Sequence, residues 1–106
     1  MSRRVVFHDD AKRDLGNLSD WVAERASVRT ARGYAARIRR YCERFDVFSE
    51  RGTRRDDLRP GIRTIGFERR VTIVFTVTPD EVVILRLFYG GRDVEAAFAA
   101  DDGEPD

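Results

Sequence analysis

A lone cysteine, Cys42, leaves the chain no disulfide to form within itself. With a lone histidine, His8, there is no Cys/His cluster to hold zinc. Cys42 falls in a helical apolar pattern, where a free thiol behaves as a small core residue. Long apolar runs are missing too. The start, MSRRVVFHDD, is too polar for a signal peptide, and nothing further on reaches the length of a membrane span. The expectation is a soluble, cytoplasmic protein that needs no metal and no cofactor. Lysine is almost absent: Lys12 stands alone among 20 basic residues, and the other 19 are arginine. A GC-rich genome produces such a bias, so composition by itself decides little.

What is present suits one folded unit. A chain of 106 residues buries roughly two thirds of its unfolded surface. A hydrophobic fraction of 42% is too high for a disordered chain. The formal charge of +1 hides an asymmetry. Residues 1–92 hold all 20 basic and 13 acidic residues, whereas 93–106 hold six acidic residues and no basic one. The body is therefore a candidate for anionic partners. Residues 1–100 read as a single domain, and 101–106 (DDGEPD) as an acidic, disordered tail.

Residues 3–7 (RRVVF) are β-prone. Asp9 and Asp10 follow, placed where carboxylates meet the unpaired N–H groups of a helix start. Ala11, Leu15, Leu18, Val22 and Ala26 then mark one apolar stripe, with Trp21 alongside, on a helix over about 10–26. Ser27 is placed to cap a second helix, whose stripe runs Ala31, Tyr34, Ala35, Ile38, Tyr41, Cys42 and Phe45. Two helices so close in sequence make an antiparallel hairpin. After a loop at 49–61 the period changes to that of strands: IRTIGF (62–67), VTIVFTV (71–77) and VVILRLFY (82–89). DVEAAFAA (93–100) reads as a last short helix. The order is β-α-α-β-β-β(-α), an α+β fold with an antiparallel sheet and the helical hairpin packed on one face. Which edge the first strand joins does not follow from the pattern.

The chemistry-bearing stretch is RGTRRDDLRPGIRTIGFERR (51–70), with seven arginines around Pro60 and Gly61. Part of it reads as a solvated surface paired with Asp56, Asp57 and Glu68, each exposed pair contributing about 0–1 kcal/mol. Against that stands the planar guanidinium fork, which grips carboxylate or phosphate through two parallel hydrogen bonds where lysine offers a point charge. Arg86 sits mid-strand among aliphatics, and Arg63 holds a similar place in its own strand. Period-two reading puts Ile84, Arg86 and Phe88 on one face. The inference is that Arg63 and Arg86 share the face the helices leave open, near Arg69 and Arg70.

Taken in order, LRPGIRTIGFERRVTIVFTV followed by VVILRLFYGGRD resembles the toxins of the RelE/ParE superfamily, small bacterial toxins paired with an antitoxin. The likeness extends back through FDVFSERGTRRDDL and FHDDAKRDL. The Arg-Pro-Gly-Ile-Arg run and Gly-Gly-Arg-Asp look closer to the ParE branch. His8 and Asp9 depart from the usual Ser-Pro start, Ser49 stands where proline is common, and Tyr89 where ParE-like chains often carry histidine.

This resemblance implies a type II toxin that inhibits DNA gyrase without catalysis and is neutralised by a ParD-like antitoxin in a hetero-oligomer. The antitoxin's C-terminal segment would wrap it as an amphipathic helix with an added strand. Candidate target- or antitoxin-binding residues are Trp21, Arg54, Arg55, Arg59, Arg63, Arg69, Arg70, Arg86, Phe88, Tyr89 and Arg92. The alternative is a RelE-like ribosome-dependent mRNA endonuclease with Arg63 and Arg86 clamping a phosphate and Tyr89 as the acid. That alternative lacks a convincing base, since His8 and Lys12 lie elsewhere in the chain and Glu68 sits in a hairpin turn. A third reading is a non-toxic antitoxin-binding module. Direct duplex binding is disfavoured because the cations surround a turn and sheet, with no base-reading helix. A short upstream gene encoding a ribbon-helix-helix segment with an acidic tail would mark the system.

Overall fold

The His8 imidazole starts the first helix: its Nδ1 accepts from the Asp10 backbone N–H at 3.1 Å, and Asp9 and Asp10 fill the first turn. In the computed structural model, which describes residues 2–90 and Val94, this helix is α1 (Asp9–Arg25). The Ser27 hydroxyl accepts from the Thr30 N–H at 3.0 Å and caps α2 (Val28–Glu43), as the pattern predicts. Ala11, Leu15 and Leu18 of α1 meet Tyr34, Ile38 and Cys42 of α2 in one core, which Phe45 closes below a single 3-10 turn (Arg44–Asp46). Gly16 and Gly33 are exposed with open space around them, so no close helix approach requires them. No helix among the described residues is long and apolar enough to cross a membrane.

Five strands form the sheet: β1 (Arg4–Phe7), β2 (Thr53–Arg54), β3 (Ile62–Phe67), β4 (Val71–Val77) and β5 (Glu81–Tyr89), in the order β1-β5-β4-β3-β2. β2 to β5 pair antiparallel, while β1 lies parallel to β5, with Arg4 opposite Glu81 and Phe7 opposite Ile84. The helical hairpin is the crossover that lets β1 and β5 run the same way. The expected α+β architecture holds, and the edge the sequence left open is β5. The predicted last helix (93–100), Arg92 and the acidic tail fall outside the described residues, Val94 apart.

A bulge then overturns the period-two reading of the last strand. Val74 pairs with Arg86 but the next residue, Phe75, pairs with Ile84, so Leu85 is the extra residue of β5. Ile84 and Leu87 consequently face the helices together, although their parities differ. The reverse face is not open along its middle. Leu58, from the turn before β3, folds over Ile62, Val74 and Phe88 to make a second small core.

Candidate functional site

Arg63 and Arg86 do not share a face. Arg63 lies opposite Phe75, which packs under the helices, and Arg86 lies opposite Val74, which belongs to the reverse core. The period argument failed because the bulge at Leu85 reverses the alternation in one strand only. Tyr89 returns to the helix-bearing side, opposite Val71. The rows of Arg63 and Tyr89 lie four residue steps apart along β4, about 13 Å. Arg63 is therefore apart from the other two groups a nuclease would need.

Most of the turn arginines hold their own turn together. Arg54 pairs with Asp56 at 2.8 Å, and the Arg55 fork takes both Asp57 oxygens at 3.0 Å. Asp56 also accepts the Gly61 N–H at 2.9 Å, and that bond, helped by Arg54, holds its carboxyl below the usual range. Arg55 does the same for Asp57. Glu68 is engaged from outside the stretch: Arg37 of α2 grips it bidentately at 3.0 and 3.1 Å and depresses its pKa. Glu68 and Arg69 both adopt positive φ, 50° and 62°, so the β3–β4 hairpin tip is a strained turn pinned to a helix. Arg59 and Arg69 are exposed on these turns.

The better-formed site lies along β5. β1 stops pairing at Ile84, where the His8 N–H reaches the Ile84 carbonyl at 2.9 Å, and among the described residues the edge beyond it has no strand partner. Asp14 of α1 takes over there. One carboxylate oxygen accepts the Leu87 N–H at 2.9 Å and Arg86 Nε at 2.7 Å; the other accepts from the same guanidinium at 3.2 Å. Arg86 thus reaches round the strand edge to α1, with its guanidinium 4.8 Å over the Phe88 ring. Phe88, a candidate binding residue from the sequence, is buried between this arginine and the reverse core. Past Asp14 a cleft of about 380 Å³ opens between Asn17, Leu18 and Trp21 of α1 and Leu87, Phe88 and Tyr89 of β5. The Trp21 and Tyr89 rings stand 4.7 Å apart, and the Arg25 guanidinium lies 4.1 Å over Trp21. Arg70 donates to the Tyr89 hydroxyl at 3.3 Å, which raises the arginine's pKa further. The result is an apolar, aromatic cleft with a guanidinium rim and an unpaired strand edge.

Of the expected site residues, the structure gathers Trp21, Tyr89, Arg70 and Arg86 here. It leaves Arg54, Arg55 and Arg59 around the turn before β3, and Arg63 at the far end of the sheet. The sequence reading missed Asp14, Arg25 and Arg37. A signal existed for two of them, because Asp14, Leu18, Trp21 and Arg25 recur at helical spacing beside the core stripe. Among the described residues no group of three or more His, Cys, Asp or Glu is placed to hold a metal ion.

Comparison with known proteins agrees with this architecture. Residues 5–94 match the family model described as the ParE toxin of the type II toxin–antitoxin system, parDE. Toxin ParE3 of Caulobacter vibrioides is 30% identical over 93 residues, covering 88% of this chain and 92% of that protein. A solved chain of the chromosomal ParDE TA system from P. aeruginosa superposes with a TM-score of 0.73 at 22% identity, covering 84% of this chain and 97% of that one; this likeness concerns the fold.

Proposed function

The chain belongs to the ParE toxin family of the type II toxin–antitoxin system parDE, and on that premise we propose that it poisons DNA gyrase by binding, with no chemistry of its own. A toxin of this system has a cognate antitoxin as partner. The observation that carries the binding reading is the separation of Arg63 from Arg86 and Tyr89, which breaks up the clamp of two arginines and an acid that RNA cleavage would use. Purified toxin at micromolar concentration is expected to block gyrase supercoiling or trap cleaved DNA. Gyrase that keeps its full activity would overturn the reading, and ribosome-dependent mRNA cleavage abolished by Tyr89→Phe would replace it.

The antitoxin's seat is the cleft between α1 and the β5 edge. Its concave, aromatic floor fits the apolar face of an amphipathic segment, and Arg25 and Arg70 fit acidic side chains along that segment's flank. Trp21 is the anchor, being a large ring 38% exposed at the cleft. Trp21→Ala is expected to weaken antitoxin binding by roughly 30-fold, the effect of a typical hot-spot truncation. Titration calorimetry measures it; an affinity within twofold of the parent would remove the cleft as the seat.

A further inference from the structure

The loop after α2 is built to present one ring. Phe48 is 87% exposed and its backbone is left-handed, with φ +50, a region in which a side chain is disfavoured. The loop cannot relax that conformation away. The Arg51 guanidinium donates to the carbonyls of Arg44, Val47 and Phe48 at 2.7–3.0 Å and lies 4.9 Å over the buried Phe45 ring. The buried Ser49 hydroxyl donates to the Phe45 carbonyl at 2.6 Å. Gly52 follows with φ +75, packed so closely on β3 that a Cβ would collide with the Thr64 carbonyl. A rigid, strained loop that exposes an aromatic ring fits recognition better than stability.

Cations hold the same loop on both sides of Phe48: the Arg3 backbone N–H donates to the Asp46 carbonyl at 2.7 Å, and the Arg63 guanidinium to the Arg51 carbonyl. A second cleft, about 440 Å³, is lined by Arg3, Arg54 and Arg63 together with Glu50 and Asp56. Arg63, 16% exposed, donates to the Arg51 carbonyl at 3.2 Å and forms a long ion pair with Glu50 at 3.8 Å. Arg3 commits its Nε to the Thr78 carbonyl at 2.7 Å. The Arg63 guanidinium is held only loosely by Glu50, a contact that a stronger carboxylate partner can replace.

We propose that Phe48, with Arg3 and Arg63, is the surface by which the toxin grips its target: the ring enters an apolar pocket of a folded protein, and carboxylates on that pocket's rim take the two guanidinium groups. This rests on the toxin reading. A convex knob needs a preformed hollow, which a flexible antitoxin segment lacks. The surface also lies at the end of the sheet away from Tyr89 and the α1–β5 cleft, so target and antitoxin have separate seats.

The test is Phe48→Gly, which removes the ring and relieves the positive φ. The variant is expected to unfold at higher urea than the parent and to keep antitoxin affinity within twofold. Growth arrest on expression without antitoxin should be lost, and gyrase inhibition should weaken by at least about tenfold, the loss of an anchoring ring. Arg3→Gln should weaken both in the same direction. Undiminished arrest by Phe48→Gly overturns the proposal. So does a loss of antitoxin affinity in place of arrest, a loss of arrest accompanied by a lower urea midpoint, or a parent chain that leaves growth unaffected. Should the parent arrest growth while gyrase is untouched, the gyrase reading fails alone, and the growth comparison between parent and Phe48→Gly still decides this surface.

Discussion

Replacing Asp14 by alanine lowers the unfolding free energy by about 3 kcal/mol, a large fraction of what holds a domain of this size. One carboxylate closes two otherwise open positions. It accepts the Leu87 N–H where β1 has ended, and it takes the Arg86 guanidinium at 2.7 and 3.2 Å. Its side chain is 14% exposed and that of Arg86 31%, so water replaces these bonds poorly. Breaking a buried pair from one side costs about 3–5 kcal/mol, and partial exposure places this one at the low end. Asp14→Asn keeps an acceptor for Leu87 but loses the charge, and should cost about half as much. Asp14→Leu with Arg86→Met should recover stability over Asp14→Ala, because it removes both buried charges together. Urea unfolding with an unchanged m-value measures all three. A loss below about 1 kcal/mol for Asp14→Ala would mean that the edge needs no cap. The same substitution bares the strand edge from Leu87 to Tyr89, so self-association at high concentration is expected alongside.

Alkali destabilises the fold through Cys42. The thiol is fully buried against the sheet, and burial pushes its pKa from the ordinary 9.0 up to about 12. The folded chain therefore holds this proton more tightly than the unfolded chain does. The contribution is complete below about pH 9 and is lost as pH rises towards 12, since only the unfolded chain releases the proton in that window. At about 1.4 kcal/mol per tenfold difference in proton affinity, the full loss is about 4 kcal/mol. Tyr34, whose pKa burial also raises, adds in the same direction. Its hydroxyl is buried without a hydrogen-bond partner, so no bond compensates its ionisation. Cys42→Ala costs stability near neutrality by leaving a small cavity, but its stability should fall less steeply above pH 9 than that of the parent. Urea midpoints taken across that range compare the slopes. Parallel slopes for the two proteins would show that the thiol does not ionise on unfolding, and the folded parent should resist thiol labelling at mild alkaline pH.

Much of the fold is legible residue by residue. The stripes of α1 and α2, the Ser27 cap and the three late strands appear within a residue or so of where periodicity puts them, because each depends on neighbours three, four or two positions away. The site is less legible. Trp21 and Tyr89 are visible as large rings beside a stripe and at a strand end, yet nothing local says that they meet. Asp14 reads as an ordinary helix-surface acid until β1 is known to stop short of Leu87. Phe48 reads as one more apolar residue before a turn; its exposure depends on Arg51 holding three carbonyls at once.

By itself the amino-acid sequence determined the element order, the core stripes, the basic body and the resemblance to antitoxin-paired toxins. These are properties of local spacing and of composition. The tertiary structure alone decided which edge β1 joins, that Leu85 bulges, and therefore that Arg63 and Arg86 point to opposite sides of the sheet. A strand whose residues are apolar on both faces carries no alternation by which a bulge could be seen, and one extra residue reverses every side chain beyond it.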